Sequence, residues 1–353
     1  MRLPVQFRRG LQCLILVFIS VLLISCETVS YYSQAARGQI AILTARQNIE
    51  RLLADETLDS DLRATLELTL AIRQFAEQEL ALPAGDNYST YVDLEREYVV
   101  WNVFAAPEFS IDPVNWCYPV AGCVSYRGYF SEQQAIRFAQ QLEAEGYDVY
   151  TGGVDAYSTL GWFEDSLLST ILDRSPYQLA GLIFHELAHQ VAYVPDDTTF
   201  NESLATAVER EGLRRWFAYQ GDAAAQAQAD ASIRQQQQFI ELVTRCREQF
   251  EALYHSDLDI EQMRKSKAAL QLEMRATFEV LKLSWGGYTG YDSWFSRSLN
   301  NAQLSTVGSY NDLVPAFNEM LIKADGDLTA FYEAVKSLAQ LDFDERRAAL
   351  QNQ

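Results

Sequence analysis

Positive charge is scarce in this sequence. Of its 353 residues, 28 are Lys or Arg and 48 are Asp or Glu, which gives a formal net charge of -20. A chain that binds nucleic acid clusters Lys and Arg against the phosphates, so this balance argues against nucleic acid as a partner. The acidity serves solubility, or it gives a site an acidic mouth that attracts cationic peptide N-termini.

Cysteine is also scarce, with five residues in the chain. Pro119 and Gly122 can turn the chain so that the sulfurs of Cys117 and Cys123 meet, and an oxidising compartment would then favour a disulfide. The spacing of the cysteines and the lack of a second pair argue against a zinc site built from thiolates. We expect Cys246 to be a small, buried apolar residue.

The N-terminus carries an apolar run at residues 11–24, after a basic segment. This run is too short to span a bilayer comfortably and is typical of a secretory signal peptide. It ends in Leu23-Ile24-Ser25-Cys26, which resembles the lipobox of bacterial lipoproteins. That resemblance implies that residues 1–25 are a lipoprotein signal peptide and that Cys26 carries a lipid anchor. An ordinary signal peptide, or a membrane anchor with a chance cysteine, is the alternative.

The residue after this cysteine bears on the compartment. In lipoproteins of Gram-negative bacteria, Asp at this place is the common signal for retention in the inner membrane. Glu27 stands there instead, so in a Gram-negative host the resemblance implies anchoring in the outer membrane, facing the periplasm. That oxidising compartment suits a disulfide between Cys117 and Cys123.

The spacing of apolar residues predicts a predominantly helical α+β fold. Helical periodicity covers Tyr31–Leu53 and residues 58–82, and returns in two long polar segments at about 223–283. We interpret these two segments as a helical hairpin, a subdomain of the domain formed by residues 26–353. The chain has no internal repeat.

Strand signals are confined to the middle of the chain. β-Branched and aromatic residues predict strands at Tyr98–Phe104 and Tyr147–Thr151, with Val124–Phe130 as a weaker candidate. Gly152-Gly153-Val154 can form an edge strand on which an extended peptide lies, or a plain turn or bulge. The predicted sheet is therefore small.

Histidine carries the strongest chemical signal. The chain has three His, and two of them form His185-Glu186-Leu187-Ala188-His189. Residues four apart share a helix face, so both imidazoles can chelate one Zn²⁺, and Glu186 can take a proton from a zinc-bound water as general base. Ser175-Pro176 predicts the start of this helix, which we expect to run to about Tyr193. Two chance core histidines are the alternative, but unpaired imidazoles are costly to bury.

A zinc site of this kind needs a third protein ligand. His255 lies 66 residues beyond His189, which disfavours a third histidine. Asn201-Glu202-Ser203-Leu204-Ala205 resembles the Asn-Glu-x-x-Ala segment that carries the third ligand in thermolysin-like and aminopeptidase-type gluzincins. That resemblance makes Glu202 the expected metal ligand, although it stands only 13 residues after His189, a shorter interval than in those families.

Glu209 is the other acidic candidate. It stands 20 residues after His189 and seven after Glu202, so the two carboxylates share a helix face. The longer interval suits the gluzincin pattern, but Glu209 lacks the Asn-Glu context. We expect its carboxylate to hydrogen-bond a ligating histidine from behind, as such carboxylates commonly do, with a surface salt bridge as the alternative.

Several stretches together resemble one family, the predicted bacterial aminopeptidase lipoproteins. The resemblance implies a zincin-like fold of gluzincin type with a small sheet beside the HExxH helix, a Zn²⁺ cofactor and peptide substrates. Zincins use a Tyr or His donor to stabilise the tetrahedral oxyanion. We expect a membrane-anchored zinc aminopeptidase. A non-catalytic zinc-binding scaffold lipoprotein of the cell envelope and a zinc hydrolase of a non-peptide amide are the alternatives. The matching stretches lie within Tyr31–Gln39, Trp116–Phe130, Gly153–Gly161, Phe184–Gln190, Asp197–Glu202 and Leu299–Ala302.

Tyrosine is too common for the oxyanion-stabilising residue to be chosen from the sequence. The chain has 19 Tyr. Tyr288, Tyr291 and Tyr310 are candidates, and the choice among them stays open.

Overall fold

The computed structural model describes residues 28–118, 122–156, 163–221, 223–308 and 311–351. The predicted signal peptide, Cys26 and Tyr310 lie outside the described residues. The predominantly helical α+β fold is confirmed, with 62% of the structure in helices and the strands in small sheets. Within these ranges, no helix is both long enough and apolar enough to cross a membrane.

Along the chain, a helical N-terminal part is followed by a strand-rich middle and a helical C-terminal half. The helices are α1 (residues 28–44), α2 (Ile49–Leu53), α3 (Ser60–Glu79), α4 (Glu132–Ala144), α5 (Pro176–Ala188), α6 (Thr198–Gln220), α7 (Ala223–Tyr254), α8 (Ile260–Ser284), α9 (Asp292–Phe295), α10 (Asn301–Gly308), α11 (Val314–Lys323), α12 (Leu328–Ala339) and α13 (Phe343–Gln351). The strands are β1 (Gln47–Asn48), β2 (Thr90–Val92), β3 (Val100–Pro107), β4 (Trp116–Tyr118), β5 (Gly122–Val124), β6 (Arg127–Tyr129), β7 (Tyr147–Val154) and β8 (Leu167–Leu168).

The central sheet is antiparallel, in the order β6-β3-β7, so β3 is its middle strand. Side chains alternate between the two faces of a strand. Val103 and Ala105 of β3 pack against Phe138 and other apolar residues of α4. Val100, Asn102 and Phe104 point to the opposite face, where they line a cleft. The strand predicted at Tyr98–Phe104 is found at Val100–Pro107, and it forms the floor of that cleft.

The largest apolar core holds α5 and α6 together. Leu179, Ile183, Phe184 and Leu187 of α5 are at most 1% exposed. Gly212 of α6 faces the Phe184 ring, and a Cβ at Gly212 would stand 2.7 Å from that ring. The absence of a side chain at Gly212 therefore lets the two helices approach closely, which brings polar groups on both helices within contact distance.

The start of α5 is as predicted, but its predicted end is wrong. Ser175 forms a capping box with Gln178, and Pro176 is the first helical residue. The helix ends at Ala188, with His189 as the C-cap, rather than near Tyr193. The chain after His189 is held by Asn201, whose side-chain amide accepts from the N–H of Val194 and donates to its carbonyl, each at 2.8 Å.

Helices α7 and α8 follow one another and pack together, at the positions where the sequence predicts two long helical segments. Their facing side chains form a second apolar cluster that includes Phe250, Met274 and Phe278. Cys246 is buried in this cluster, as predicted. A buried ion pair between Lys267 of α8 and Asp148 of β7, at 2.6 Å, joins the cluster to the central sheet.

Candidate metal centre

Helices α5 and α6 bring three side chains of metal-binding type together. Nε2 of His185 lies 3.3 Å from Oε2 of Glu202, and Nε2 of His189 lies 3.8 Å from the same oxygen. One donor atom from each of the three residues lies within 4.8 Å of the other two. Two imidazole nitrogens and a carboxylate oxygen at these separations can hold a metal ion.

Glu209 contacts the opposite side of the His185 ring. Its Oε2 lies 3.2 Å from Nδ1 of His185, whereas Nε2 of the same ring faces Glu202. Room for this carboxylate comes from Gly181 of α5, since a Cβ there would stand 3.1 Å from Oε1 of Glu209. The two glutamates, seven residues apart on α6, thus address different nitrogens of one imidazole.

The short interval between His189 and Glu202 has a structural explanation. Helix α6 begins at Thr198 because Asp197 caps it, accepting a hydrogen bond from the N–H of Phe200 at 3.1 Å. Asp197 is itself fixed by the buried Arg346 of α13, whose guanidinium nitrogens lie 2.9 and 3.0 Å from Oδ2. Together with the Asn201–Val194 hydrogen bonds, this cap allows α6 to start soon after α5, so Glu202 reaches the histidines.

The surroundings of the His189 imidazole indicate whether these residues fit a cation. The residue is 7% exposed, and its Nδ1 is buried without a hydrogen-bond partner in the described part of the chain. Its Nε2 is 3.8 Å from Glu202, beyond hydrogen-bond distance. A buried ring nitrogen without a partner is costly, and binding a cation through this ring would compensate part of that cost. A His-His-Glu donor set is also the kind that binds Zn²⁺.

The two imidazoles differ in their electrostatics. Burial lowers the pKa of His189 to about 4, so this ring is neutral near pH 7 and one of its two nitrogens carries a lone pair that can bind a metal ion. Burial also lowers the pKa of His185, but the hydrogen bonds to Glu202 and Glu209 outweigh it and raise the pKa well above the ordinary value. The carboxylates around His185 therefore favour positive charge at this place.

Glu186 lies beside this cluster and also lines the cleft. It is 9% exposed. Burial raises the pKa of its carboxyl to about 7, the positive charge of His185 opposes this, and the negative charge of Glu202 adds to it. A carboxyl group with a pKa near neutrality can both accept and donate a proton in that range, which is the property of a general acid–base group.

The cleft above the cluster has a volume of about 650 Å³, within the usual range for ligand sites. One wall is the face of the central sheet, the other is formed by α5 and α6, and Tyr31 of α1 and Trp294 of α9 also line it. Gly152, Gly153 and Val154 end β7, an edge strand of the sheet, and line the cleft, as one of the two interpretations of this segment predicts.

Two tyrosines in the cleft were missed by the sequence reasoning. Tyr126 and Tyr193 both line it. Burial raises the pKa of Tyr126, and the charges of Glu202 and Glu186 add to that effect. Burial and then Glu202 likewise raise the pKa of Tyr193. Both hydroxyls therefore stay protonated and can donate hydrogen bonds. No sequence signal distinguishes them, because they lie in connections between elements and tyrosine is common throughout.

The other predicted residues lie apart from the cluster. His255 is exposed at the end of α7, where its Nδ1 contacts the carbonyl of Glu251. Tyr291 stacks on Phe239 of the second apolar cluster, and Tyr288 is 42% exposed. Cys117 and Cys123 are joined by a disulfide across the β4–β5 pair. The backbone N–H of Cys123 donates to Asp196, in the connection between α5 and α6.

The fold and the site define a predominantly helical α+β protein with a cleft over a His-His-Glu cluster that can hold a metal ion. The chain belongs to the aminopeptidase family whose model, described as "Putative aminopeptidase", matches residues 30–350. This membership supports a peptidase that acts on peptide substrates. Comparison with the curated proteins and with the solved structures found no match.

Proposed function

We propose that this protein is a zinc-dependent peptidase. The observation that carries the proposal is the placement of His185, His189 and Glu202, with donor atoms within 4.8 Å of one another, beside the buried carboxyl of Glu186 in one cleft. The family match supports peptide substrates. The donor set supports Zn²⁺, which binds imidazole nitrogen and carboxylate oxygen in catalytic sites with three protein ligands.

His185, His189 and Glu202 would hold the ion. Bound there, Zn²⁺ supplies a Lewis acid that polarises the peptide carbonyl and lowers the pKa of a water molecule. The carboxylate of Glu186 accepts the proton of the attacking water and then donates it to the nitrogen of the leaving amine. Burial raises the pKa of this carboxyl, which makes its carboxylate a stronger proton acceptor than that of a solvent-exposed glutamate.

The remaining polar groups orient this chemistry. Glu209 accepts a hydrogen bond from Nδ1–H of His185, which fixes the tautomer of the ring and directs the Nε2 lone pair toward the cluster. Tyr126 is placed to donate a hydrogen bond into the cleft near Glu186 and Glu202. Preorganised donors of this kind stabilise the negative charge that develops on the carbonyl oxygen during peptide hydrolysis.

We further propose that the protein is lipid-anchored through Cys26 after removal of residues 1–25, in the outer membrane facing the periplasm. The lipobox-like segment and the absence of Asp after the cysteine support this assignment. Labelling of growing cells with a radioactive fatty acid tests it. The protein should carry the label, and Cys26→Ser should lose it; label retained by Cys26→Ser would contradict the assignment.

Metal analysis and hydrolysis assays on the same purified protein test the peptidase. We expect about one Zn²⁺ per chain, as in other catalytic sites of this donor type, and cleavage of a mixed peptide library that stops on chelation and returns with Zn²⁺. Glu186→Gln should keep the zinc and lose hydrolysis by at least about 100-fold, the usual contribution of a general base. Full activity in Glu186→Gln, or cleavage that survives complete removal of metal, would contradict the proposal.

A further inference from the structure

The charges that line the cleft bear on which part of a peptide it binds. Among the cleft-lining residues that the structure describes, the acids are Glu186 and Glu202, and there is no Asp, Lys or Arg. The carboxylate of Glu202 faces the two imidazoles, and the carboxyl of Glu186 is buried beside them. No further carboxylate or cation on these walls is free to pair with a charged chain end.

A chain end brings a full charge into the site. The α-ammonium of an N-terminus is positive and the α-carboxylate of a C-terminus is negative, and burying either without a partner is strongly unfavourable. A site that selects an end therefore offers it an opposite charge. An uncharged interior segment needs no such partner, because its peptide groups require hydrogen bonds alone.

Four acids lie near the cleft in the chain, and none of them is among the residues that line it. Asp155 forms a bidentate ion pair with Arg174, with contacts of 2.7 and 3.0 Å. Asp196 accepts the backbone N–H of Cys123, and Glu209 contacts His185. Asp165 is buried and its negative charge acts on Glu186, but it lines a separate cavity of about 20 Å³.

Segments outside the described residues add little charge. Residues 119–121, 157–162 and 309–310 contain no charged residue. Asp222 is one acid outside the described ranges. Glu27 is the remaining acid, four residues before Tyr31 in the chain, and it enters the experiment as a variant.

The walls themselves favour apolar and aromatic side chains. Phe104, Phe130, Tyr150 and Trp294 line the cleft, with Val100 and Val154 between them. Aromatic walls of this kind bind apolar side chains through large contact areas. Gly128, Gly152 and Gly153 also line it, so these three residues project no side chain into the cleft.

We propose that the cleft binds the interior of an extended, uncharged peptide segment with apolar or aromatic side chains, and that the protein cleaves internal peptide bonds. This inference rests on the proposed peptidase function and narrows its substrate. The description of the family names action at an N-terminus, whereas the charges of this cleft favour an endopeptidase. The net acidity of the chain then serves solubility rather than capture of free α-amines.

The test uses one peptide of about ten residues with an apolar, aromatic centre, made with free ends, with an N-acetyl group, with a C-terminal amide and with both blocks. We expect cleavage at a central bond in all four, with kcat/KM for the doubly blocked form within about threefold of the free form. Replacing the central residues by Asp or Lys should lower kcat/KM by at least about tenfold, corresponding to ~1.4 kcal/mol. Stepwise release of N-terminal residues, with about tenfold or greater loss on acetylation, would overturn the inference.

Two variants distinguish a failure of this substrate inference from a failure of the proposed catalytic mechanism. Glu27→Gln should leave the ratio of acetylated to free substrate unchanged; a preference for the free amine that this substitution removes would place the amine site at Glu27 and overturn the inference. Binding of the same peptides to Glu186→Gln, followed by fluorescence anisotropy, should give equal affinities for blocked and free forms. Tighter binding of the free form overturns the inference. Equal binding without any cleavage by the unmodified protein supports the binding of an interior segment and contradicts the peptidase function on which the cleavage rests.

Discussion

Oε2 of Glu209 lies 3.2 Å from Nδ1 of His185, on the side of the ring that faces away from Glu202. A carboxylate in this position fixes the tautomer of a metal-binding histidine and increases its basicity. Glu202 and Glu209, which the sequence spacing offers as alternative ligands, therefore have different roles beside His185. The contact between Glu209 and His185 also provides the sharpest test of the metal site.

Replacing Glu209 should weaken metal binding without removing a ligand. We expect Glu209→Ala to lower the zinc affinity by about 10- to 100-fold, the usual effect of losing such a partner. Glu209→Gln keeps an acceptor and should lose less, whereas Glu202→Ala should lose more than either. Competition with a chelating dye measures the affinities. Glu248→Gln, an exposed change of the same charge on α7, is the control, and an unchanged affinity in Glu209→Ala would contradict the assignment.

The contact between α5 and α6 predicts an unusual response to a helix-favouring substitution. Ala at a helical position is ordinarily about 1 kcal/mol more favourable than Gly. A Cβ at Gly212, however, would stand 2.7 Å from the Phe184 ring and 3.0 Å from the Leu80 side chain. We expect Gly212→Ala to lower the free energy of unfolding by about 1–3 kcal/mol, the usual cost of overpacking.

Urea denaturation followed by circular dichroism measures this change. Ala218→Gly, an exposed position on the same helix, is the control for propensity alone. Both exchanges should destabilise the protein although they run in opposite directions. A gain in stability for Gly212→Ala would show that Phe184 can move aside.

The cap of α6 depends on a buried ion pair. Arg346 and Asp197 are each 3% exposed, and removing the arginine leaves a carboxylate buried with the longer Arg347 contact of 3.6 Å. We expect Arg346→Met to cost about 3–5 kcal/mol of unfolding free energy, as for other broken buried pairs. Adding Asp197→Asn should recover part of the loss, because the cap then carries no charge. Equal stabilities of the single and double variants in urea would contradict this coupling.

Cys246 should be inert toward thiol reagents in the folded protein. It is 5% exposed, and burial raises the pKa of its thiol to about 11. At pH 8 the thiolate fraction is then on the order of one in a thousand. In a Cys13→Ser/Cys26→Ser background, a chromogenic disulfide reagent should detect about one thiol after unfolding in urea and almost none before. Rapid reaction of the native protein would show that the thiol is accessible.

Much of the site could be predicted from the sequence because its signals are local. His185 and His189 share a face through helix geometry alone, and Ser175 and Pro176 start that helix through backbone capping. The β-branched and aromatic residues of Tyr98–Phe104 likewise predict a strand, because they favour extended backbone locally. The end of α5 could not be predicted, since it depends on Asn201, which reaches the loop backbone from another helix.

What the sequence by itself determined is the identity and helical spacing of the His-Glu-His group and the helical character of the chain. Only the tertiary structure decided that Glu202 and Glu209 approach opposite sides of His185, that Tyr126 lines the cleft, and that no spare charge does so among the described residues. The reason is physical: helix geometry acts over a few residues, whereas these relationships depend on how closely α5 and α6 pack and on which sheet face lies opposite them. Gly212, Asp197 and Arg346 set that packing, and they act across distances in the chain over which periodicity carries no information.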